Sequence, residues 1–189
     1  MNSSTTLMIS AGAIAVGGIW LVTTYNGLVA MRRRTDQAFA DIDVQLKQRH
    51  DLIPNLVETV KGYAAHESGT LQAVINARNS ALAAQSQSAQ LAAEQALGAS
   101  LTKLFGLAEA YPDLKASANF VELQKELSDI ENKIAAARRF LNNAVAEFNA
   151  ATEQFPGVLI AGLFGFTRKT MFDLGESRQV VEMTPAVKF

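Results

Sequence analysis

The first 31 residues of the chain carry no Asp, Glu, Lys, Arg or His side chain. Residues Leu7 to Val22 read LMISAGAIAVGGIWLV, and the uncharged stretch continues to Val29. A helix needs about 20 consecutive, mainly apolar residues to cross a bilayer. We therefore predict an N-terminal transmembrane helix whose membrane span includes Leu7, Ile14, Trp20 and Val22.

The charges that flank this stretch predict its orientation. Arg32, Arg33 and Arg34 follow the apolar run, whereas no Lys or Arg precedes Leu7. Cytoplasmic flanks of membrane helices carry an excess of Lys and Arg. We therefore expect a single-pass protein with Met1 outside the cell membrane and the body of the chain in the cytoplasm. The alternative is a cleaved signal peptide, which carries its basic residues before the apolar run and not after it.

The composition favours one helical domain behind this anchor. A chain of 189 residues is long enough for an anchor and a single domain. We expect a transmembrane anchor over residues 1–30, a helical bundle over 31–155, and an apolar segment with a tail over 156–189. The 17 basic and 18 acidic side chains nearly cancel, which does not favour a nucleic-acid partner. The absence of cysteine excludes disulfides and thiolate nucleophiles.

Apolar residues recur at alternating intervals of three and four in two parts of the domain. In the first part, residues 39–63, only Arg49 interrupts the pattern, and the pattern keeps its phase across Pro54. The second part runs without a miss from Phe120 to Phe155. This spacing places the apolar side chains on one helix face. It predicts one helix through Pro54 and one very long helix over residues 120–155.

Residues 70–111 are rich in alanine and predict helix as well. The polar stretch QSQSAQ, residues 85–90, interrupts the apolar spacing there, so either one long helix or two shorter helices fit the sequence. Gly69 is expected to separate the first two helical stretches, and Pro112 with Asp113 to separate the last two. The predicted fold class is all-α: a single-pass anchor, an elongated antiparallel bundle of three to four long helices, resembling a coiled coil, and an extended C-terminal tail over residues 178–189.

No pattern of residues predicts a catalytic, metal or cofactor site. His50 and His66 are the two histidines, and neither has a second metal-ligating residue at helical spacing on its own face, so we expect surface or capping positions for them. Phosphate-binding glycine loops and nucleophile motifs are missing from the sequence. We therefore expect a protein that is not an enzyme and has no cofactor and no small-molecule substrate.

The segment Phe155 to Phe166 reads FPGVLIAGLFGF and is the most suggestive candidate for an interaction. Twelve residues are too few to span a bilayer, so the segment either packs on the bundle or lies at a membrane or partner interface. The residues that would form such an interface are Phe155, Leu159, Leu163, Phe164 and Phe166.

Five stretches of the chain resemble the LemA family. They are YNGLV at residues 25–29, IDVQLKQRHDLIPNLVETVKGYAAHE at 42–67, YPDLKA at 111–116, ENKIAAARRF at 131–140 and FPGVLIAGLFGF at 155–166. The resemblance implies a membrane-anchored helical bundle of bacterial type, in a family where some relatives are linked to building specialised internal membranes. It brings no catalytic residues with it.

Three functional hypotheses follow. The first is a scaffold or adaptor in the inner membrane of a bacterium that forms homo-oligomers or recruits membrane-protein partners beside the lipid bilayer. The second is a membrane-remodelling protein that acts through residues 155–166. The third is an accessory factor to a membrane protease.

Overall fold

The computed structural model describes residues 3–172, and this part of the chain contains helices and no strands. The all-α prediction is confirmed. The helices are α1 (Ser3–Tyr63), α2 (Ser68–Ala83), α3 (Gln87–Ala108), α4 (Pro112–Lys115), α5 (Ala118–Glu153) and α6 (Gly157–Phe164). The expected extended tail, residues 178–189, lies outside the described residues.

Helix α1 joins the predicted anchor to the first helix of the domain without a break. It is 61 residues long and passes through Pro54. The expected boundary at residue 30 therefore falls inside a helix, because residues 30–38 (AMRRRTDQA) contain no glycine or proline that would interrupt one.

The chain divides into two compact units. The described part of unit 1 comprises residues 3–42 and 136–172, and that of unit 2 comprises residues 43–135. Helices α1 and α5 each contribute to both units.

The core of unit 2 is built from the predicted apolar faces. Ile53, Leu56 and Val60 of α1 are fully buried. The same cluster holds residues of every other helix of this unit: Leu71, Val74, Ala81, Leu97, Leu101, Leu104, Ala108, Leu114, Phe120 and Leu127. The alternation of three and four residues therefore identified the core-facing side of α1 and of the first half of α5.

The alanine-rich stretch forms two helices, which decides between the two alternatives. Helix α2 ends at Ala83, and α3 begins after Ser86, whose hydroxyl oxygen accepts a hydrogen bond from the Ala89 amide at 3.2 Å. A serine at this position satisfies one of the free amides at the start of a helix. The polar stretch thus supplies a helix start.

The turn between α1 and α2 lies at residues 64–67, and the prediction that Gly69 separates these helices is wrong. Gly69 lies in the first turn of α2 and has open space around it. The main-chain oxygen of Glu67 accepts from the amides of Thr70 and Leu71, so α2 begins at Ser68, one residue before Gly69. Between α3 and α5, helix α4 and short turns form the connection, where Pro112 and Asp113 predicted one.

Unit 1 has a smaller core and a long exposed apolar helix. Leu28, Ile160 and Ala161 form one buried cluster, and Leu141, Val145 and Phe148 of α5 are also buried. By contrast, α1 is exposed at every residue from Leu7 to Thr23. Within the described residues, α1 is the one helix whose length and apolar composition suffice to cross a membrane. An apolar helical segment that is exposed along its length suits a lipid environment.

Candidate functional surfaces

Unit 2 contains a buried ion pair between α1 and α3. The side chains of Arg49 and Glu94 are 4% and 1% exposed, and Nη1 of Arg49 donates to Oε2 of Glu94 at 3.1 Å. Nε of Arg49 also lies 2.8 Å from Oε1 of Glu131, but it does not meet hydrogen-bond geometry with any acceptor, so this contact is an ion pair only. Arg49, which interrupts the apolar spacing of α1, is therefore neutralised by carboxylates on two other helices.

His50 belongs to the same buried cluster. Its Nε2 lies 2.8 Å from Oε1 of Glu94, and the residue is buried. An ionised carboxylate only accepts hydrogen bonds, so Nε2 carries the proton when Glu94 is ionised. The expected surface or capping position is therefore wrong for His50. Its buried partner, Glu94, lies 44 positions away on α3, where local spacing does not identify it. His66 is exposed as expected.

The main-chain oxygen of His50 has a side-chain partner. In a regular helix this oxygen would accept from the amide four residues later, but that residue is Pro54, which has no amide hydrogen. Nε of Arg78 on α2 donates to it at 2.7 Å. The arginine thus satisfies an acceptor that would otherwise remain unpaired in a buried part of α1.

Two clefts on the described part of unit 2 differ in their linings. One, of about 490 Å³, has Arg49 and Glu131 in its lining together with Gly98, Leu101, Thr102, Phe105, Gln124, Leu127, Ser128 and Asn132. The other, the acidic groove, has a volume of about 350 Å³ and is lined by Gln48, Asp51, Leu52, Glu126, Asp129, Ile130 and Lys133. Lys47 donates a hydrogen bond to Asp51 and lowers its pKa, so Asp51 is ionised at neutral pH. The groove combines an apolar floor with a net negative rim.

In unit 1 the apolar segment of residues 155–166 contains helix α6. Gly165 ends the helix with φ +70°, and the amide of Phe166 donates to the oxygen of Ala161 at 3.0 Å, an arrangement that glycine permits after a helix. At the start of α6, a Cβ atom on Gly157 would lie 1.9 Å from the oxygen of Ala151. Glycine is therefore required where α6 turns back on the end of α5.

One side of α6 packs on α1 and the other side is exposed. The ring of Tyr25 lies 4.8 Å from that of Phe164 and 5.8 Å from that of Phe166. Phe155, which lies before α6, has its ring 6.4 Å from Trp20 and is 77% exposed. Leu159 and Leu163 are also exposed. Of the five predicted interface residues, four are therefore exposed, and Phe166 is partly buried.

After α6, residues 167–172 lie along α5 and are held there by two asparagines. Oδ1 of Asn149 accepts from the amide of Lys169 at 2.9 Å, and Nδ2 of Asn149 donates to the oxygen of Lys169 at 2.9 Å. Asn142 makes the same two bonds with Phe172, at 2.8 and 3.0 Å. We call these four bonds the asparagine clasp. Seven residues of helix rise about 10.5 Å and three residues of extended chain about 10 Å, so the two spacings match.

The side chains of the clasped residues are bound as well. Nζ of Lys169 donates to Oγ1 of Thr35 at 2.7 Å and pairs with Asp36. Phe172 is buried, with the guanidinium of Arg138 5.0 Å from its ring centre. Residues 167–172 therefore tie the end of α6 to both α5 and α1.

The three arginines that predict the orientation have different surroundings. Arg34 pairs with Glu147 at 2.9 Å, whereas Arg32 and Arg33 are exposed and have no carboxylate partner within residues 3–172. The four residues named for the membrane span, Leu7, Ile14, Trp20 and Val22, are all exposed on α1.

The sequence patterns missed the buried cluster and the asparagine clasp. The interrupted spacing at Arg49 was the available signal for the cluster, but it does not identify Glu94 as the partner. Asn142 and Asn149 lie seven residues apart beside the apolar face of α5, which marks both as inward-facing amides. Among the described residues, no group of three or more His, Asp or Glu side chains is arranged to hold a metal ion.

Comparisons with known proteins add a family and three relatives. A family model described as the LemA family matches residues 38–189. Magnetosome protein MamQ of Magnetospirillum gryphiswaldense is 22% identical over 193 residues, an alignment covering 88% of this chain and 71% of that protein. Magnetosome proteins MamQ 1 and MamQ 2 of Paramagnetospirillum magneticum are each 22% identical over 191 residues, covering 87% of this chain and 70% of each protein.

Proposed function

The chain belongs to the LemA family, and from that premise we propose that it is a membrane-anchored, non-enzymatic helical scaffold. In this role it associates with copies of itself or recruits other membrane proteins. The family match and the exposed apolar part of α1 support a membrane-associated protein of the LemA type.

The observation that carries the proposal is the continuity of α1. The same helix is apolar and exposed at every residue from Leu7 to Thr23 and contributes Ile53, Leu56 and Val60 to the core of unit 2. No turn interrupts the helix between these parts. The apolar segment and a core-forming segment of unit 2 therefore belong to one helix.

The proposed topology is a single pass through the cell membrane of a bacterium, with the N-terminus outside and the helical body in the cytoplasm. Arg32 and Arg33 support it, because they are exposed directly after the apolar part of α1 and have no partner in the described chain. Cysteine-reactive reagents that cannot cross the membrane test it. They should label Ser4→Cys in intact cells and leave Glu122→Cys unlabelled until the cells are opened; the reverse pattern would contradict the orientation.

The acidic groove of unit 2 supports the recruitment of a partner. Leu52 and Ile130 form an apolar floor, and Asp51, Glu126 and Asp129 outnumber Lys133 at the rim. This chemistry suits a segment of a membrane protein that carries both apolar and basic side chains.

Crosslinking in native membranes tests the scaffold proposal. A photoreactive residue at Gln48, in the groove, should capture a second copy or another membrane protein, and the combined Glu126→Lys and Asp129→Lys substitutions should abolish the capture. Glu122→Lys, an exposed position outside the groove, is the matched control. If the protein is strictly monomeric in mild detergent and captures no partner in membranes, the proposal fails.

Membrane remodelling is the second candidate function, and the exposed apolar side of α6 is the observation that favours it. Leu163 and Phe164 are 72% and 49% exposed in a segment without charges. Full-length protein reconstituted into liposomes should then deform them at high protein density, as seen by electron microscopy. The double substitution Leu163→Asp and Phe164→Asp should abolish the deformation. If vesicles with the unsubstituted protein have the same shapes as vesicles without protein, membrane remodelling is excluded as a function.

A further inference from the structure

Helix α6 crosses α1 at a steep angle. Its eight residues extend about 12 Å. Its first residue, Gly157, lies beside Leu28, and its last, Phe164, contacts Tyr25. Tyr25 and Leu28 are only about 4.5 Å apart along the axis of α1. The middle of α6 meets the same stretch, because Ile160 and Ala161 form a buried cluster with Leu28. The start, middle and end of α6 therefore all meet a few residues of α1, so α6 crosses α1 and does not run alongside it.

The position of this crossing corresponds to a definite depth in a bilayer. Transmembrane helices tilt by about 20° on average from the bilayer normal, so a helix that crosses α1 steeply lies near the membrane plane. Tyr25 precedes Arg32 by seven residues, which places it about 10 Å to the lipid side of the first arginine. Helices that lie in the membrane plane bury their apolar face at this boundary of headgroups and acyl chains.

The chemistry of α6 fits that depth. Its exposed side chains, and that of Phe155 before it, are large and apolar: Phe155, Val158, Leu159, Leu163 and Phe164. The nearest charged residues on either side, Glu153 and Arg168, form an ion pair at 3.3 Å. The uncharged segment is thus bounded at both ends by charges that neutralise each other.

The basic residues near this boundary differ in whether they have partners. Arg34 pairs with Glu147, Arg168 with Glu153 and Lys169 with Asp36. Arg32 and Arg33 are exposed and have no carboxylate partner in the described part of the chain. A guanidinium group binds phosphate oxygens in a bidentate manner, and lipid phosphates lie at the level of the first residues beyond the apolar span.

We propose that α6 is an in-plane helix embedded in the cytoplasmic leaflet, and that its apolar side together with Arg32 and Arg33 forms a binding surface for anionic phospholipid. Acyl chains contact the exposed side of α6, and the guanidinium groups of Arg32 and Arg33 bind the phosphates. The inference rests on the proposed function in one respect, which is that α1 spans the membrane.

The first test measures the depth of α6 in full-length protein reconstituted into nanodiscs. The sequence has no cysteine, so a spin label can be attached to a single introduced one. The label on Leu163→Cys should be accessible to oxygen and protected from a water-soluble nickel complex, whereas the label on Met171→Cys, exposed in the clasped segment, should be accessible to nickel. Equal nickel accessibility at both positions would overturn the in-plane placement.

A label on Ile14→Cys distinguishes a failure of the proposed membrane span from a failure of the proposed in-plane position of α6. It should be protected from nickel because it lies in the apolar part of α1. If Ile14→Cys is protected but Leu163→Cys is not, the anchor stands and the inference about α6 fails. If Ile14→Cys is also accessible to nickel, the proposed membrane span itself fails.

The second test measures lipid preference. Spin-labelled phosphatidylglycerol should show a larger motionally restricted fraction beside the protein than spin-labelled phosphatidylcholine. The combined Arg32→Gln and Arg33→Gln substitutions should remove this difference, and Arg34→Gln, whose arginine is paired with Glu147, should retain it. Equal fractions for both lipids, or the same loss with Arg34→Gln, would overturn the lipid-binding surface.

Discussion

Nε of Arg78 donates a hydrogen bond to the main-chain oxygen of His50 at 2.7 Å. In a regular helix the His50 oxygen would accept from the amide of residue 54, but that residue is Pro54, which has no amide hydrogen. A side chain of α2 therefore supplies a bond that the helix cannot make by itself. This explains how α1 continues through a proline without leaving an unpaired oxygen in the core.

The first prediction concerns this substitute donor. Arg78→Ala should lower the free energy of unfolding by about 1.5 to 3 kcal/mol, because a charged donor to a buried oxygen is lost. In a Pro54→Ala background the same substitution should cost less than about 1 kcal/mol, because the restored amide can bond to His50. Thermal unfolding of the four proteins in detergent, followed by circular dichroism, measures the difference. Equal costs in both backgrounds would show that the two groups act independently.

The second prediction concerns the buried cluster. Glu94→Ala leaves Arg49 without its buried partner and removes the acceptor of His50, so it should cost about 3 to 5 kcal/mol. Glu126→Ala, on the rim of the acidic groove, should change stability by no more than about 0.5 kcal/mol. The same unfolding experiment tests both. A small effect of Glu94→Ala would mean that water or Glu131 replaces the lost carboxylate.

The third prediction concerns hydrogen exchange in the asparagine clasp. The amides of Lys169 and Phe172 are bonded to side-chain oxygens of α5. Both should exchange slowly with solvent. Asn142→Ala should speed the exchange of the Phe172 amide about tenfold, which corresponds to the loss of about 1.4 kcal/mol.

A matched variant separates the two bonds that Asn142 makes. Asn142→Asp keeps an oxygen that can accept from the Phe172 amide but removes the donor to its carbonyl oxygen. Its effect on the Phe172 amide should therefore be smaller than that of Asn142→Ala. Nuclear magnetic resonance of the labelled protein in detergent resolves the individual amides. Fast exchange at both positions before any substitution would rule out the clasp.

The fourth prediction concerns the turn between α5 and α6. Gly157→Ala would place a Cβ atom 1.9 Å from the oxygen of Ala151, so the turn must shift, at a cost of about 1 to 3 kcal/mol. Trp20 is the single tryptophan in the sequence and its ring lies 6.4 Å from Phe155, so its fluorescence should change. Gly162→Ala, with open space around the glycine, is the control and should leave the emission unchanged. An identical spectrum for all three proteins would contradict this packing.

The fifth prediction is a pH dependence. Burial raises the pKa of Tyr111, and the hydrogen bond that its hydroxyl donates to Glu67 at 3.2 Å raises it further. The unfolded phenol therefore ionises first as the pH rises above about 10, and the folded protein loses stability in that range. The melting temperature of Tyr111→Phe should fall less steeply between about pH 9 and 11. Parallel curves for the two proteins would show that Tyr111 does not contribute.

The sequence predicted those parts of the fold that depend on local repetition. The apolar face of α5 could be identified because its spacing continues for ten turns, and the exposed apolar part of α1 because it lacks charges. The same spacing placed Phe155 in this helix, but α5 ends at Glu153 and Phe155 is exposed. The residue before a proline is disfavoured in helical conformation, and Pro156 accounts for the difference.

The candidate surfaces depend on contacts between distant residues, and local patterns do not contain these. In the sequence, Arg49 interrupts the apolar face of α1. In the structure its charge is neutralised by Glu94, which lies 45 positions later on α3. The apolar segment 155–166 was recognised as an interaction candidate from composition alone. Its steep crossing of α1 could not be predicted, because it depends on where Gly157 and Phe164 meet the first helix.

The asparagine clasp does not depend on which side chains the segment that it holds carries. All four of its bonds go to the main chain of residues 169 and 172, which every amino acid except proline provides in the same form. Thr170 and Met171 lie between these points with exposed side chains. During evolution these two positions can therefore accept most substitutions while the path of the chain is preserved, whereas a change at Asn142 or Asn149 would release it.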